Sequence, residues 1–175
     1  GTGACVSCDT NADSCGLSTA GSCKAGYYGT ALSKDCTACP DGTYKAGNGD
    51  GTQGAVCVDV DAGKFGSTDG TNHVATGATR QDNCAGGFFN TDGTGACVSC
   101  DTNADSCGLS SAGACVIGYG GSVKTDGSGG TSCVACAANE YKDTAANAEC
   151  IDCDSNASLT CGLDGSSLGS NTTPG

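Results

Sequence analysis

The chain of 175 residues has no tryptophan, no methionine, one histidine, two prolines and only eight aromatic residues. Large apolar side chains are too few for a conventional core of this length. Each buried one contributes about 1.5–3 kcal/mol, against roughly 1–2 kcal/mol of backbone entropy for every residue ordered. No apolar run approaches the roughly 20 residues a membrane-spanning helix needs. Helical periodicity is missing as well, because the spacers are crowded with Gly, Ser, Thr and Asp. Basic residues are also scarce: seven Lys and Arg against nineteen acidic residues give a net charge of −12. That leaves no basic footprint for nucleic acid, and an anionic membrane surface would repel the chain. The charge keeps a glycine-rich repetitive protein in solution.

What the chain does have is 17 cysteines and 31 glycines. Cysteine at this density marks a disulfide scaffold, and each bridge is worth roughly 2–4 kcal/mol. Disulfides persist outside the cell or in the secretory lumen, so the expected location is extracellular or at the cell surface. A secreted protein opening at Gly1 without a leader is expected to be a mature or trimmed form. The small polar tail SSLGSNTTPG is what a removed lipid-anchor signal leaves behind, and it is equally an ordinary flexible end.

Internal repetition organises the chain. Residues 1–23 and 93–115 differ only at Thr19/Ser111 and Ser22/Ala114, and a looser third copy starts near Ile151. Three segments are expected: 1–92 as a first repeat with a long cysteine-free loop at 58–83, 93–149 as a shorter second repeat, and 150–175 as a partial third with a polar tail. Two phrases make up the grammar. One is Cys-x-x-Cys, a polar loop and another cysteine, at Cys5, Cys8, Cys15, at Cys97, Cys100, Cys107 and at Cys150, Cys153, Cys161. The other is a cysteine followed by glycine and a ring: CKAGYY, CPDGTY, CAGGFF, CVIGYG, CAANEY and, more loosely, CVDVDAGKF. These six segments hold every aromatic residue.

The placement predicts miniature cores in which a ring covers a disulfide. Short hairpins with Gly, Asn and Asp turns should join them. The fold class expected is therefore small disulfide-rich repeat modules, short β-hairpins and loops with almost no helix. Such modules touch only their neighbours, which implies an elongated rod rather than one globule.

All 17 cysteines are disulfide candidates: the nine above with Cys23, Cys36, Cys39, Cys57, Cys84, Cys115, Cys133 and Cys136. Zinc at Cys133, Cys136, Cys150 and Cys153 would have too short a spacer. A redox pair would need nearby cations or a helix N-terminus, and neither is visible. The reading taken is a structural ladder in which the two cysteines of a pair bond to different partners. Connectivity stays open. Seventeen is odd, and Cys161 is the candidate for a free thiol or an intermolecular bridge, because its phrase breaks off early.

Asp9, Asn11 and Asp13, repeated as Asp101, Asn103 and Asp105, have the oxygen spacing that opens a calcium loop. The loop then fails, with Ser14 or Ser106 where glycine is wanted and Ala20 or Ala112 where glutamate is wanted. These residues are read first as turn formers. Asn156 and Asn171 are N-glycosylation acceptors, and the many Ser and Thr are candidates for O-linked sugar. His73 reads as a surface-loop histidine. Asp59 and Asp61 have no pocket-forming sequence around them. No nucleophile elbow or phosphate loop is present, so neither an enzyme nor a cofactor is expected.

The Cys-x-x-Cys pairs, the CKAGYY turn at Cys23–Tyr28, the CPDGTY turn at Cys39–Tyr44 and the Ala/Thr/Gly/Asn-rich spacers resemble the immobilization antigens of ciliates. These are GPI-anchored surface coat proteins built from tandem cysteine-rich repeats. The resemblance runs over nearly the whole chain. It implies a non-enzymatic extracellular coat glycoprotein, a surface antigen with covalent glycans and a lipid anchor, its partners being neighbouring coat proteins. The alternative is a subunit of a glycosylated extracellular filament that self-associates head to tail.

Overall fold

The computed structural model describes residues 7–125 and 132–153. Sixteen strands form eight two-stranded antiparallel sheets, and in each sheet the two strands are neighbours in sequence. Helix is confined to one turn at Gln53–Val56 and a 3-10 turn at Ala31–Ser33.

Two of the sheets close the polar loops: β1 (Ala12–Asp13) with β2 (Ser22–Cys23), and β11 (Ala104–Asp105) with β12 (Ala114–Cys115). The other six hairpins share one plan. A strand carrying a ring pairs with the residues just inside or before the next cysteine. The pairs are β3 (Tyr27–Tyr28) with β4 (Thr37–Ala38) and β5 (Thr43–Tyr44) with β6 (Val58–Asp59). Next come β7 (Lys64–Ser67) with β8 (Arg80–Asn83) and β9 (Phe88–Phe89) with β10 (Val98–Ser99). The last two are β13 (Tyr119–Gly120) with β14 (Val134–Ala135) and β15 (Glu140–Tyr141) with β16 (Ile151–Asp152).

The turn before each ring explains the glycine. That residue has φ between 74° and 84° in five hairpins and 68° at Asn139, the one position where asparagine replaces glycine. A β-turn with positive φ at its third residue takes Gly or Asn. The N–H three residues past the turn's first carbonyl closes it, as in Tyr27 N–H to Lys24 O (3.1 Å) and Glu140 N–H to Ala137 O (3.1 Å). At Gly26 a side chain would also meet the Gly77 carbonyl oxygen at 2.3 Å.

The chain forms two compact units. One takes the residues up to Gly86 together with Asn90–Cys97, and the other takes Gly87–Phe89 and Val98 onward. The division thus runs through the Cys97–Cys100 phrase. In the first unit a small core gathers Cys23, Ala31 and Cys36, with Ala12 and Tyr27 packed against it. In the second, Phe89, Ala112, Cys115, Val123 and Cys133 cluster with Tyr119. Both are the ring-on-disulfide cores expected from the sequence.

The stretch 58–83 corrects the sequence reading. It is not a loop: it contains β6 and the β7–β8 hairpin, whose strands of four residues are the longest among the described residues. Val60, Phe65, Ala78 and Ser67 are buried in it, a small apolar core in place of a bridge. Sequence periodicity missed β8 because Arg80, Gln81, Asp82 and Asn83 are all polar. Their pairing is held by side-chain bonds instead. Ser67 Oγ donates to Asp82, and Gln81 Oε1 accepts from Asp61 N–H at 2.9 Å.

Candidate functional site

Seven disulfides join pairs of described residues: Cys8–Cys15, Cys23–Cys36, Cys39–Cys57, Cys84–Cys97, Cys100–Cys107, Cys115–Cys133 and Cys136–Cys150. Cys153 is disulfide-bonded as well. In the seven, every cysteine joins the next one along the chain. Among the described residues, Cys36/Cys39, Cys97/Cys100 and Cys133/Cys136 are therefore split: the first cysteine closes the loop behind it and the second opens the loop ahead. This is the structural ladder. Cys133, Cys136, Cys150 and Cys153 are all consumed in bridges, so they are not a zinc set. Cys5 and Cys161 lie outside the described residues, as do Asn156 and Asn171.

One hydrogen bond sets the register of this ladder. The N–H of each cysteine that follows a ring hairpin donates to the carbonyl of that hairpin's turn residue before the ring, whereas the Cys23 N–H, after a polar loop, donates to Asp50 Oδ1 (2.9 Å). The distances are Cys39 to Gly26 (2.8 Å), Cys84 to Gly63 (2.9 Å), Cys100 to Gly87 (2.8 Å), Cys136 to Gly118 (2.9 Å) and Cys153 to Asn139 (2.7 Å). Val60 makes the same bond to Gly42 at 2.8 Å. Cys57-Val-Asp-Val60 is thus a Cys-x-x-Cys whose second cysteine has become a buried valine. Opposite it, Gln81 pairs with Gly66, the register at which the other hairpins place their closing cysteine.

Two lysines that sequence reasoning passed over sit at the heart of the ladder. Lys45 is 6% exposed and Lys142 is 5%. Lys45 Nζ donates to the carbonyls of Cys23 (3.2 Å), Lys24 (3.3 Å), Tyr27 (2.6 Å) and Gly49. Lys142 Nζ donates to those of Cys115 (3.3 Å), Tyr119 (2.8 Å) and Ala146. Each ammonium gathers carbonyls from the preceding hairpin and from its own loop. Backbone bonds run alongside, Gly26 N–H to Lys45 O and Gly118 N–H to Lys142 O. Burial pulls the Lys45 ammonium below its ordinary pKa, and the Asp50 charge works against that. The signal was present in the sequence: lysine directly follows the ring in CPDGTYK and CAANEYK alone. Asn90 holds the same place after CAGGFF, and its amide reaches only Thr94 and Gly95 in its own loop (3.3 and 3.2 Å).

The DTNAD residues are turn formers and staples. Asp9 and Asp101 accept the N–H of Asn11 (2.7 Å) and Asn103 (3.0 Å). The two asparagine amides donate to the carbonyls of Cys36 (3.4 Å) and Cys133 (3.2 Å). Asp101 also accepts from Ser132 N–H (2.6 Å), Ser132 Oγ (3.1 Å) and Cys133 N–H (3.3 Å). Burial raises its pKa, and these hydrogen bonds outweigh burial, leaving the carboxyl below its ordinary range. Asp13 accepts from Ser14 Oγ (3.1 Å) and Asn48 Nδ2 (2.7 Å), while Asp105 borders a small hollow beside Val116, Ile117 and Ala145. Ser14 and Ser106, at the place where a calcium loop wants glycine, do have positive φ, 57° and 59°. No group of three metal-ligating side chains occurs among the described residues.

His73 is not a free surface residue. Its side chain is 19% exposed, and its Nε2 lies 2.8 Å from Asp41 Oδ1. Burial raises the Asp41 pKa, but bonds from His73 and the Gly42 and Gly95 amides bring it below the ordinary value. Asp61 pairs with Lys64 (2.7 Å) and accepts from Gln81 Nε2 (2.8 Å), which lowers its pKa. Asp59 lies in β6 with its side chain exposed.

Compared with models of known families, with curated proteins and with solved structures, the chain matches none. The arrangement itself has to carry the functional reading. It is a chain of disulfide-closed loops in which each ring hairpin is keyed to the segment that follows through a backbone amide and, at Lys45 and Lys142, a hairpin is plugged by the next one's buried ammonium.

Proposed function

We propose that the chain is a non-enzymatic extracellular structural protein, the repeat stalk of a surface coat resembling the immobilization antigens. The observation that supports this most is the consecutive pairing of the seven bridges. It lets a stalk grow by adding hairpins without disturbing bonds already made, as a repeat array requires. Disulfides at this density fit an oxidising extracellular setting, and no helix among the described residues is long and apolar enough to cross a membrane. In this reading, as the resemblance implies, a lipid anchor attaches the stalk to the cell and glycans sit at Asn156 and Asn171.

Release of native protein by a phosphatidylinositol-specific phospholipase tests the anchored coat. Protein that stays on the cell, together with fibres in the electron microscope, would overturn it in favour of the filament. A specific feature favours that second reading. Val58, Val134 and Ile151, each inside a Cys-x-x-Cys or its variant, are 55–64% exposed on two-stranded sheets with open edges, and open edges invite pairing with another chain. A ladder of bands without reductant would mark covalent filaments, and a single band the coat monomer. An elongated rod belongs to both readings, and small-angle scattering checks it. A radius of gyration near the roughly 16 Å of a compact domain of this length would refute it.

A further inference from the structure

Consecutive pairing has a mechanical consequence. When each cysteine bonds to the next, tension along the chain passes across every bridge, and the interior of each loop carries none. Only the segments between loops bear load. Between Cys8 and Cys153 those are the two residues inside each Cys-x-x-Cys, residues 16–22 and 108–114, and the 26 residues 58–83. The last is the one long stretch without a bridge, and it is also where valine and glutamine stand at the two cysteine positions.

We infer that residues 58–83 are the length reserve of the chain, a hairpin that opens under tension and closes again without breaking a covalent bond. The β7–β8 ladder is loaded at its open end, since Lys64 pairs with Asn83 immediately before Cys84. Its rungs are therefore pulled one at a time rather than together. The contacts that hold it to the 39–57 loop are all non-covalent. They include the β5–β6 pairing, Val60 N–H to Gly42 O (2.8 Å), Lys45 N–H to Ala78 O (3.0 Å), Gly77 N–H to Cys39 O (2.8 Å) and the His73–Asp41 pair. Val60, Phe65 and Ala78 supply the apolar surface that drives closure. The property belongs to the oxidised chain and does not depend on whether it serves a coat or a filament.

The positions of the basic residues give a direct test. Lys24, Lys34, Lys45, Lys124 and Lys142 all lie inside disulfide-closed loops, while Lys64 and Arg80 lie between Cys57 and Cys84. Exhaustive trypsin digestion of the oxidised protein without reductant should give two cysteine-bearing halves, one ending at Lys64 and one starting at Gln81, and a free 65–80 peptide. Cuts at the other five sites should release no cysteine-bearing piece. Halves that stay joined, or that fall apart further, overturn the inference. In single-molecule pulling on the oxidised full chain, one opening step on the order of 90 Å is expected from 26 residues at about 3.3–3.6 Å each, reversible on relaxation. A trace without that step overturns it. The Val60→Cys/Gln81→Cys double variant should form one bridge more than wild type, keep the tryptic halves joined and lose the step. If that variant misfolds, the wild-type digestion and pulling still decide.

Discussion

A buried ammonium without a contacting carboxylate is costly unless oxygens surround it, and at Lys45 and Lys142 they are backbone carbonyls from two successive hairpins. Replacing either lysine with methionine keeps the stem but strands those carbonyls. Lys45→Met and Lys142→Met are each expected to cost about 2–3 kcal/mol in chemical denaturation of the oxidised protein, while Lys24→Met, at an exposed site, should cost far less. Equal effects at the three sites would refute the cages. Asp101 gives the pH counterpart. Its folded pKa is depressed by hydrogen bonds to Asn103, Ser132 and Cys133 that outweigh burial. Its stabilisation is therefore complete above the ordinary carboxylate value of about 4. It is lost as pH falls through the lower folded value. Asp101→Asn should be less stable than wild type at pH 7, with the gap closing as the pH falls below the ordinary carboxylate range in denaturation titrations. At this scale the sequence was partly legible. Cysteine and turn chemistry announce themselves by residue type. A lysine reads as solvated until the carbonyls that surround it are placed in space, and His73 read as isolated because Asp41 is 32 residues away.

The hairpin repeats because one backbone position in it demands positive φ. Five hairpins meet the demand with glycine and the sixth with Asn139, the side chain that best tolerates that region. Asn139→Gly should be within a few tenths of a kcal/mol of wild type, and Asn139→Ala should cost about 1 kcal/mol, as read by thermal melting of the oxidised chain. An alanine variant as stable as wild type would mean the turn relaxes to negative φ. The existence of these hairpins could be read from Cys-Gly-ring spacing. The β7–β8 hairpin could not, because its ladder is built from polar residues and its bridge positions hold Val60 and Gln81. Counting cysteines made the element disappear, while the bond from Val60 N–H to Gly42 O shows it keeps the common register.

At the scale of the molecule, the polar loops set the period. Four ring hairpins lie between the loop at Cys8–Cys15 and that at Cys100–Cys107, and two lie between the latter and Cys153. The second repeat is shorter because it lacks one pair of hairpins, so growth and loss proceed in pairs. In two of the three pairs the second hairpin plugs the first, through Lys45 or Lys142, while Asn90 bonds within its own loop. This arrangement predicts which deletions the chain tolerates. Removing residues 60–99 joins Asp59 to Cys100 and writes CVDCDTNADSC, close to the natural CIDCDSNAS at residues 150–158. The variant should fold on oxidation with Cys39–Cys57 and Cys100–Cys107 intact and only the Cys84–Cys97 bridge lost, as seen by disulfide mapping. Removing residues 40–79 excises the same length out of phase. It takes out Cys57, the partner of Cys39, and no second cysteine, and should give scrambled bridges and several times more free thiol. If both deletions oxidise equally well, the two-hairpin unit is not what the chain is built from. If the in-phase deletion alone folds cleanly, nearest-neighbour plugging is sufficient to specify the pairing, because no contact beyond the removed pair is needed to choose each cysteine's partner.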